Sequence, residues 1–463
     1  MAAMPSPIQN DPAAASLVEM DKAFVWHPFT PMRQWMEEGD EPGRLIVAAE
    51  GFELIDQAGR RYIDGFSSLW CNLHGHRVPA IDAAITRQLE KVAHTTLLGH
   101  ASPPSIELAQ RLVAVAPRGM AKVFYSDSGA SAVEVAAKIA YQYFRNIGQS
   151  RRKRFIAFRG GYHGDTIGAM SLGGIDTFHD IFRPLLFETT FVDSPNACHH
   201  PAGGAAGRVV LDQIAAILER GGQEYCALIV EPLVQAAGGM LTHPAGFLAS
   251  LRELTHRHGL LLIADEVATG FCRTGRLFAC QHEEVCPDLM CLGKGLTGGY
   301  LPVAATLTTL PVFEAFRGEI TEGKTFYHGH TYTGNALGCA AGVASMDLIF
   351  RSGMLDTLAG KAELIRSRLA ELADHPHVAD IRHCGLMVGI ELAADRQARR
   401  GFDPAMRVGA AVCRAARRRG IITRPLGDVV VLMPAPAMDM ETLGRLCDGV
   451  IETIQEHFAP RPV

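Results

Sequence analysis

Several things are scarce or missing in this chain, and each absence excludes something. Its eleven cysteines are an odd number and include no CxxC pair. That is the usage of free thiols in a reducing cytoplasm, not of a disulfide framework. No apolar run reaches the roughly 20 residues that cross a bilayer. The opening MAAMPSPIQNDPAAAS has neither the charged start nor the long apolar stretch of a signal peptide, so residues 1–22 read as a disordered lead-in. With a formal net charge of −5 and no strongly basic balance, nothing points to nucleic acid or a membrane surface as partner. There is no internal repeat or low-complexity tract, and Arg417, Arg418 and Arg419 read as a solvated helix end. Tryptophan occurs three times. Trp70 lies among Ser, Asn, His and Gly, where it serves either as packing or as the wall of a pocket.

What is present is organised around Leu260–Pro302. LLLIA is a short apolar run bounded by Gly259 and an acidic pair, as expected of a strand buried on both faces of a parallel sheet. Asp265 at its carboxyl end would stand in the crevice where open α/β sheets bind ligands. A second apolar segment ends at Lys294, between two glycines. A buried Asp and a buried Lys facing one pocket suit pyridoxal phosphate: the amine bonds the cofactor and the carboxylate keeps its ring nitrogen protonated. Two other readings fail. Asp288 stands where the first glycine of a GxxxxGK[ST] phosphate loop belongs, and Gly295 replaces its Ser or Thr. Cys272, Cys280, Cys286 and Cys291 match no zinc spacing, so no metal site is expected.

The rest of the chain alternates. Residues 24–75 form short strands with a QAGR turn, and 79–116 read as helix with a break at HTTLLGHASPPS. KVFYSDSGASAVEVAAKIAYQYFRNIG is a strand, a small-residue turn and an amphipathic helix, a geometry that aims backbone N–H groups and the helix dipole at one point and so cradles phosphate. RFIAFRGGYHGDT carries a strand into a glycine-rich loop with Tyr162 and His163, and CALIVEPLVQ ends a further strand at Glu231. Strands alternating with helices predict a mostly parallel α/β sheet. After LPVAATLTT, helices over 357–374 and 405–419 and strands around IRHCGLMVGIEL and ITRPLGDVVVLMP suggest a smaller αβ layer. The expected division is a segment of the small domain over 23–75, a large cofactor-binding domain over 76–335 and the rest of the small domain over 336–463.

Taken together, SDSGA (126–130), GYHGDT (161–166), IVEPLVQ (229–235), ADEVATGFCRTG (264–275), LGKGLTGGYLP (292–302) and HGHTYTGN (328–335) resemble the class III pyridoxal-phosphate-dependent aminotransferases of fold type I, from about residue 24 to the end. The resemblance implies a large domain with a mostly parallel seven-stranded sheet flanked by helices, and a smaller αβ domain made of both chain ends. WHPFTPM, DGFSSLWCNLHGH, HTTLLGHASPPSIELA and TRPLGD resemble the branch that aminates 8-amino-7-oxononanoate to 7,8-diaminononanoate in biotin synthesis.

The same resemblance implies roles. Lys294 would carry the cofactor and shuttle the proton, and Asp265 would pair with the ring nitrogen. Gly129 and Ala130, with Ser128 nearby, would bind the phosphate; Tyr162 would stack on the ring and Glu231 would order the cofactor side. Thr331, with Gly329 beside it, would reach the phosphate site of a neighbouring subunit, so a homodimer with shared sites is implied. For a long apolar keto acid ending in a carboxylate, Trp70 and Phe29 would form the wall and Arg424 the bidentate grip, with Arg273 a second basic candidate. Ser131 stands where many class members have Glu, which should affect helix capping more than chemistry.

The amino donor stays open between S-adenosylmethionine and lysine. Many members using S-adenosylmethionine have HPYT and a double tryptophan, whereas this chain has Phe29 and Leu69. Another ω-amino acid or diamine aminotransferase would share every cofactor motif, as would an aminomutase. A cofactor-binding homologue without turnover would not be expected to keep Lys294, Asp265 and Arg424 together.

Overall fold

The computed structural model describes residues 16–39 and 41–460. Its centre is a seven-stranded sheet with the spatial order Met120–Ser126, Ala304–Thr309, Leu289–Leu292, Leu261–Asp265, Tyr225–Val230, Arg154–Phe158, Thr190–Val192. Ala304–Thr309 runs antiparallel to both its neighbours, and the remaining pairings are parallel. The sheet is therefore mostly parallel, as the sequence predicts. Leu261–Asp265 is buried at every position, because helices cover both faces and leave no room for a polar alternation.

Tight helix packing explains the Ala- and Gly-rich run after Asn335. Asn335 caps the helix Ala336–Arg351 by accepting from the Gly338 amide, and the helix lies against Pro79–Leu89 and Pro103–Val115. Expected helices and strands recur with modest shifts: Met354–Leu369 for 357–374, Val408–Ala416 for 405–419, and Val378–Cys384 with Met387–Leu392 for the late strands.

The chain ends meet in a four-stranded sheet. Ile46–Glu50, Glu53–Asp56 and Arg61–Asp64 form an antiparallel meander, and Ile421–Ile422 joins Arg61–Asp64 in parallel. A second sheet of Val378–Cys384, Met387–Leu392, Val429–Leu432 and Pro425–Leu426 completes this layer.

One expectation needs correction. The reading of 1–22 as disordered fails from Ser16 onward: Leu17–Phe24 is a helix with a full capping box between Ser16 and Glu19. Residues 1–15 lie outside the described residues. No helix among the described residues is long and apolar enough to cross a membrane. All eleven cysteines are free.

Candidate active site

Four neighbouring parallel strands end at one crevice. From them come Lys294, two residues beyond Leu289–Leu292; Asp265, ending its strand; Glu231, just past Tyr225–Val230; and the Tyr162–Asp165 loop after Arg154–Phe158. The crevice opens into a cavity of about 460 Å³ whose lining includes these residues together with Gly129, Ala130, Trp70, Phe29 and Arg424. Parallel strands put their carboxyl ends on one edge, so side chains far apart in sequence converge without any local signal.

Both carboxylates and the phenol there have defined partners. Asp265 accepts from the Val267 amide at 3.1 Å and from His163 Nδ1 at 2.7 Å. Glu231 accepts from the amides of Tyr162 at 3.0 Å and Ala236 at 2.9 Å. Burial first, and Asp265 in addition, push its carboxyl up to about 7, against the opposing pull of His163. Tyr162 donates to Asp165 at 2.8 Å, and burial followed by that carboxylate hold its phenol well above the usual value. The Lys294 amine is depressed below the ordinary lysine value by desolvation, against Asp265 and Glu231. It lies 5.1 Å from the centroid of the Trp70 ring, within cation–π range.

The SDSGA turn opens a helix. Gly129–Asn146 is a long helix capped by Ser128, whose Oγ accepts from the Ser131 amide and bonds the Ser131 hydroxyl at 2.9 Å. Ser131 thus bears on capping, as expected, and the Ser128 hydroxyl is engaged there. The Gly129 and Ala130 amides occupy the first two helical positions, which have no carbonyl of their own helix to bond. Only glycine fits at 129, since a Cβ would come within 2.6 Å of Val267 Cγ1.

These residues suit pyridoxal phosphate. They provide a free amide pair at a helix N-terminus for the phosphate, a buried carboxylate at a strand end for the ring nitrogen, and a desolvated amine for the carbonyl carbon.

The wall carrying Trp70, Phe29 and Arg424 is built differently. Trp70 is buried, and it closes a turn, Ser67–Trp70, in which all four residues have left-handed φ of 53°, 48°, 71° and 69°. Such a conformation costs L-residues roughly 1–2 kcal/mol each, so neighbouring contacts must hold it. Phe29, itself at φ 50°, packs edge-on to Phe178 at 5.3 Å, and Phe178 packs edge-on to Tyr162 at 6.1 Å. Arg424 is half-buried on the cavity wall. Burial depresses its guanidinium, and no carboxylate among the described residues offsets that.

Arg273 is not a wall residue, contrary to expectation. It is fully buried behind the turn, donating to Ser67 Oγ at 3.1 Å, Pro434 O at 2.8 Å and Asn72 O at 2.9 Å. Its bonds run to groups behind the turn, and the cavity wall does not include it. Gly329 and Thr331 are exposed and absent from the wall of their own chain's cavity. Between them His330 pairs with Asp127 at 3.0 Å, next to Ser128. Sequence reasoning assigned no role to His163, Asp165 or Phe178. The first two sit inside GYHGDT, where the motif itself was the signal; Phe178 had none.

Comparison with known proteins agrees with this geometry. Residues 36–454 match the family described as aminotransferase class III. The adenosylmethionine-8-amino-7-oxononanoate aminotransferase of Nitratidesulfovibrio vulgaris is 52% identical, over 97% of this chain and 84% of its own length. The protein of that name from Geobacter sulfurreducens is 46% identical, over 95% of this chain and 97% of its own. The solved structure of the Methanocaldococcus jannaschii enzyme of the same name has a TM-score of 0.90 at 40% identity, covering 95% of this chain and 98% of that one. The ω-transaminase of Pseudomonas jessenii in complex with PMP gives 0.90 at 30% identity, covering 96% and 98%. The chain belongs to the class III aminotransferases, enzymes that depend on pyridoxal phosphate.

Proposed function

We propose that this aminotransferase converts 8-amino-7-oxononanoate to 7,8-diaminononanoate in biotin synthesis by a ping-pong mechanism, taking its amino group from S-adenosylmethionine or lysine. The observation that carries the reading is the Arg424 guanidinium, unpaired among the described residues, on the wall of the cavity that holds Lys294 and Asp265. A long keto acid with a distal carboxylate satisfies both ends of that cavity at once. The names of relatives at 46–52% identity support the same substrate.

When bound, pyridoxal phosphate supplies the carbonyl that takes up the amino group and the conjugated ring that spreads the resulting negative charge. The Gly129 and Ala130 amides bind its phosphate with Ser128 nearby, Tyr162 covers the ring face, Asp265 holds the ring nitrogen protonated and Glu231 orders the loop carrying Tyr162. Lys294 Nζ, easily deprotonated because it is desolvated, carries the cofactor and then moves the proton from the carbon bearing the donor's nitrogen. Phe29 and Trp70 wall the substrate chain, and Arg424 grips its carboxylate.

A homodimer is part of the proposal. Beside Gly329 and Thr331 in the chain, Tyr327 and Tyr332 are 73% and 60% exposed, and His94 bonds Thr331 O at 2.8 Å and packs against the Tyr332 ring. A second copy would cover these side chains and receive Thr331 at its phosphate site. The division into 76–335 and the two chain ends, and a cytoplasmic location suited to eleven free thiols, belong to the same reading.

The test is the half-reaction. The loaded enzyme is mixed separately with S-adenosylmethionine and with lysine while its visible absorbance is followed. Loss of the band with one donor, restored by 8-amino-7-oxononanoate, is the expected outcome. If neither donor works, the substrate assignment is wrong. The likeness to ω-transaminases then makes diamines and ω-amino acids the next panel.

A further inference from the structure

Trp70 and Leu69 reach the cavity only because four consecutive residues turn left-handed. The turn is closed by Trp70 N to Phe66 O at 2.8 Å and Cys71 N to Ser67 O at 3.0 Å. None of the four is glycine, so the backbone does not prefer this shape on its own, and something outside the turn must select it.

Three anchors are visible. At the start, Ser67 Oγ donates to Met433 O at 2.6 Å. At the end, Arg273 donates to Asn72 O. In the middle stands Asp64, buried at the end of its strand. Its Oδ1 accepts from the Ser68 amide at 2.9 Å, and its Oδ2 accepts from Ser68 Oγ at 2.7 Å. His76 Nε2 bonds the same Oδ2 at 3.1 Å, and the other His76 nitrogen receives Asn72 Nδ2 at 3.2 Å. Asp64 is thus the only one of the three anchors that grips a residue inside the left-handed run by both its backbone and its side chain.

The anchor is also in register with the far end of the cavity. Asp64 pairs with Ile422 across the parallel ladder, and Gly65 N bonds Ile422 O at 2.9 Å. Two residues later that neighbouring strand delivers Arg424. The wall over Lys294 and the guanidinium thus hang from adjacent strands of one small sheet.

We propose that Asp64 is a positioning residue for the transamination: by holding Ser68 left-handed it sets the Leu69–Trp70 wall against Lys294 and Arg424, and so fixes which chains enter the cavity. The inference rests on the reading of that cavity as the substrate site.

The test substitutes Asp64→Asn, which can still accept from the Ser68 amide but puts an amide nitrogen where Ser68 Oγ and His76 need an acceptor. KM for 8-amino-7-oxononanoate is expected to rise about tenfold, with kcat changing less than threefold. The visible band of the loaded enzyme should keep its full height, because Lys294, Asp265 and the helix N-terminus are untouched. In a Trp26→Phe, Trp35→Phe background Trp70 is the sole tryptophan, and its emission should shift as the ring leaves its buried place. Adding Ser68→Gly, which adopts positive φ without penalty, should recover part of the lost KM.

A lower melting temperature with unchanged KM and unchanged Trp70 emission would make Asp64 a stability residue only and overturn the proposal. If Asp64→Asn does not fold, Ser68→Ala removes the Oγ bond alone; a threefold or larger KM rise supports the proposal and an unmoved KM overturns it. The parent enzyme is assayed alongside. If the parent fails to turn over 8-amino-7-oxononanoate, the substrate reading falls, and Trp70 emission alone judges Asp64.

Discussion

On one face of the cavity, Lys294, Asp265 and Glu231 follow three adjacent parallel strands of a single sheet, and both carboxylates are fully hydrogen-bonded. On the other, Phe29, Leu69, Trp70 and Arg424 arrive from opposite ends of the chain, on strained backbone or with a charge left unpaired. On the first face both carboxylates are held by partners within the fold. The second is held by long-range anchors and leaves its open valences for a ligand. A fold can keep one cofactor chemistry on the first face and vary the substrate on the second, which fits the common fold of relatives named for 8-amino-7-oxononanoate and of ω-transaminases.

The sharpest way to probe this contrast is to strike each face in turn. Lys294→Ala removes the amine at the centre of the first. Turnover should fall by about 10³-fold or more, the scale of losing a positioned proton carrier, and the visible band should disappear. Substantial transamination by this variant would mean that another residue does the work of Lys294.

Arg424→Ala strikes the second face and should leave the band intact. Losing a charge-assisted pair is worth about 1.5–3 kcal/mol, so KM for 8-amino-7-oxononanoate should rise about 10–100-fold while the amino donor is affected far less. Equal losses for both substrates would show that Arg424 supports the wall in general instead of gripping a distal carboxylate.

His163→Gln tests whether the first face is as rigid as its hydrogen bonds suggest. Asp265 would lose its 2.7 Å contact to Nδ1 and keep only the Val267 amide. We expect about a tenfold loss in kcat, the scale of one charge-assisted hydrogen bond, with faster loss of cofactor on dilution. An unchanged kcat would show that the Val267 amide and the strand alone orient Asp265.

The same contrast explains what could be read from the sequence. The strands, the turn before Gly129 and the position of Lys294 at a strand end announce themselves through short apolar runs and glycine turns, whose meaning is local. Arg273 has the motif position of a site residue, while its bonds go to Ser67, Asn72 and Pro434, whose proximity no spacing reveals. The left-handed turn was invisible because SSLW contains no glycine to mark positive φ. The Leu17–Phe24 helix is easy to miss because it follows directly on a stretch with no apolar pattern, although Ser16 and Glu19 spell its capping box. Phe178 lies in the one-turn helix Asp176–His179, which carries no motif, and its ring contacts to Phe29 and Tyr162 bring it to the cavity.

The smallest effect concerns Glu231, whose carboxyl is raised by burial from an ordinary 4.5 to about 7. Below 4.5 the group is protonated in both folded and unfolded chains, so it favours neither. Between 4.5 and 7 the folded protein holds a proton that the unfolded chain has released, and stability falls as pH rises. Above 7 the burial of charge is felt in full. In the cofactor-free protein, Glu231→Gln should remove this slope. The variant gives up one of two amide hydrogen bonds, since its side-chain nitrogen cannot accept from both Tyr162 and Ala236, so at low pH it should melt below the parent. With rising pH the gap should close by about 1 °C for each kcal/mol of charge burial removed, the scale set by the unfolding entropy of a chain this long. If the two melting curves instead stay parallel from pH 4.5 to 8, Glu231 does not titrate in that window, and the first face is held by a carboxylate that is already ionised.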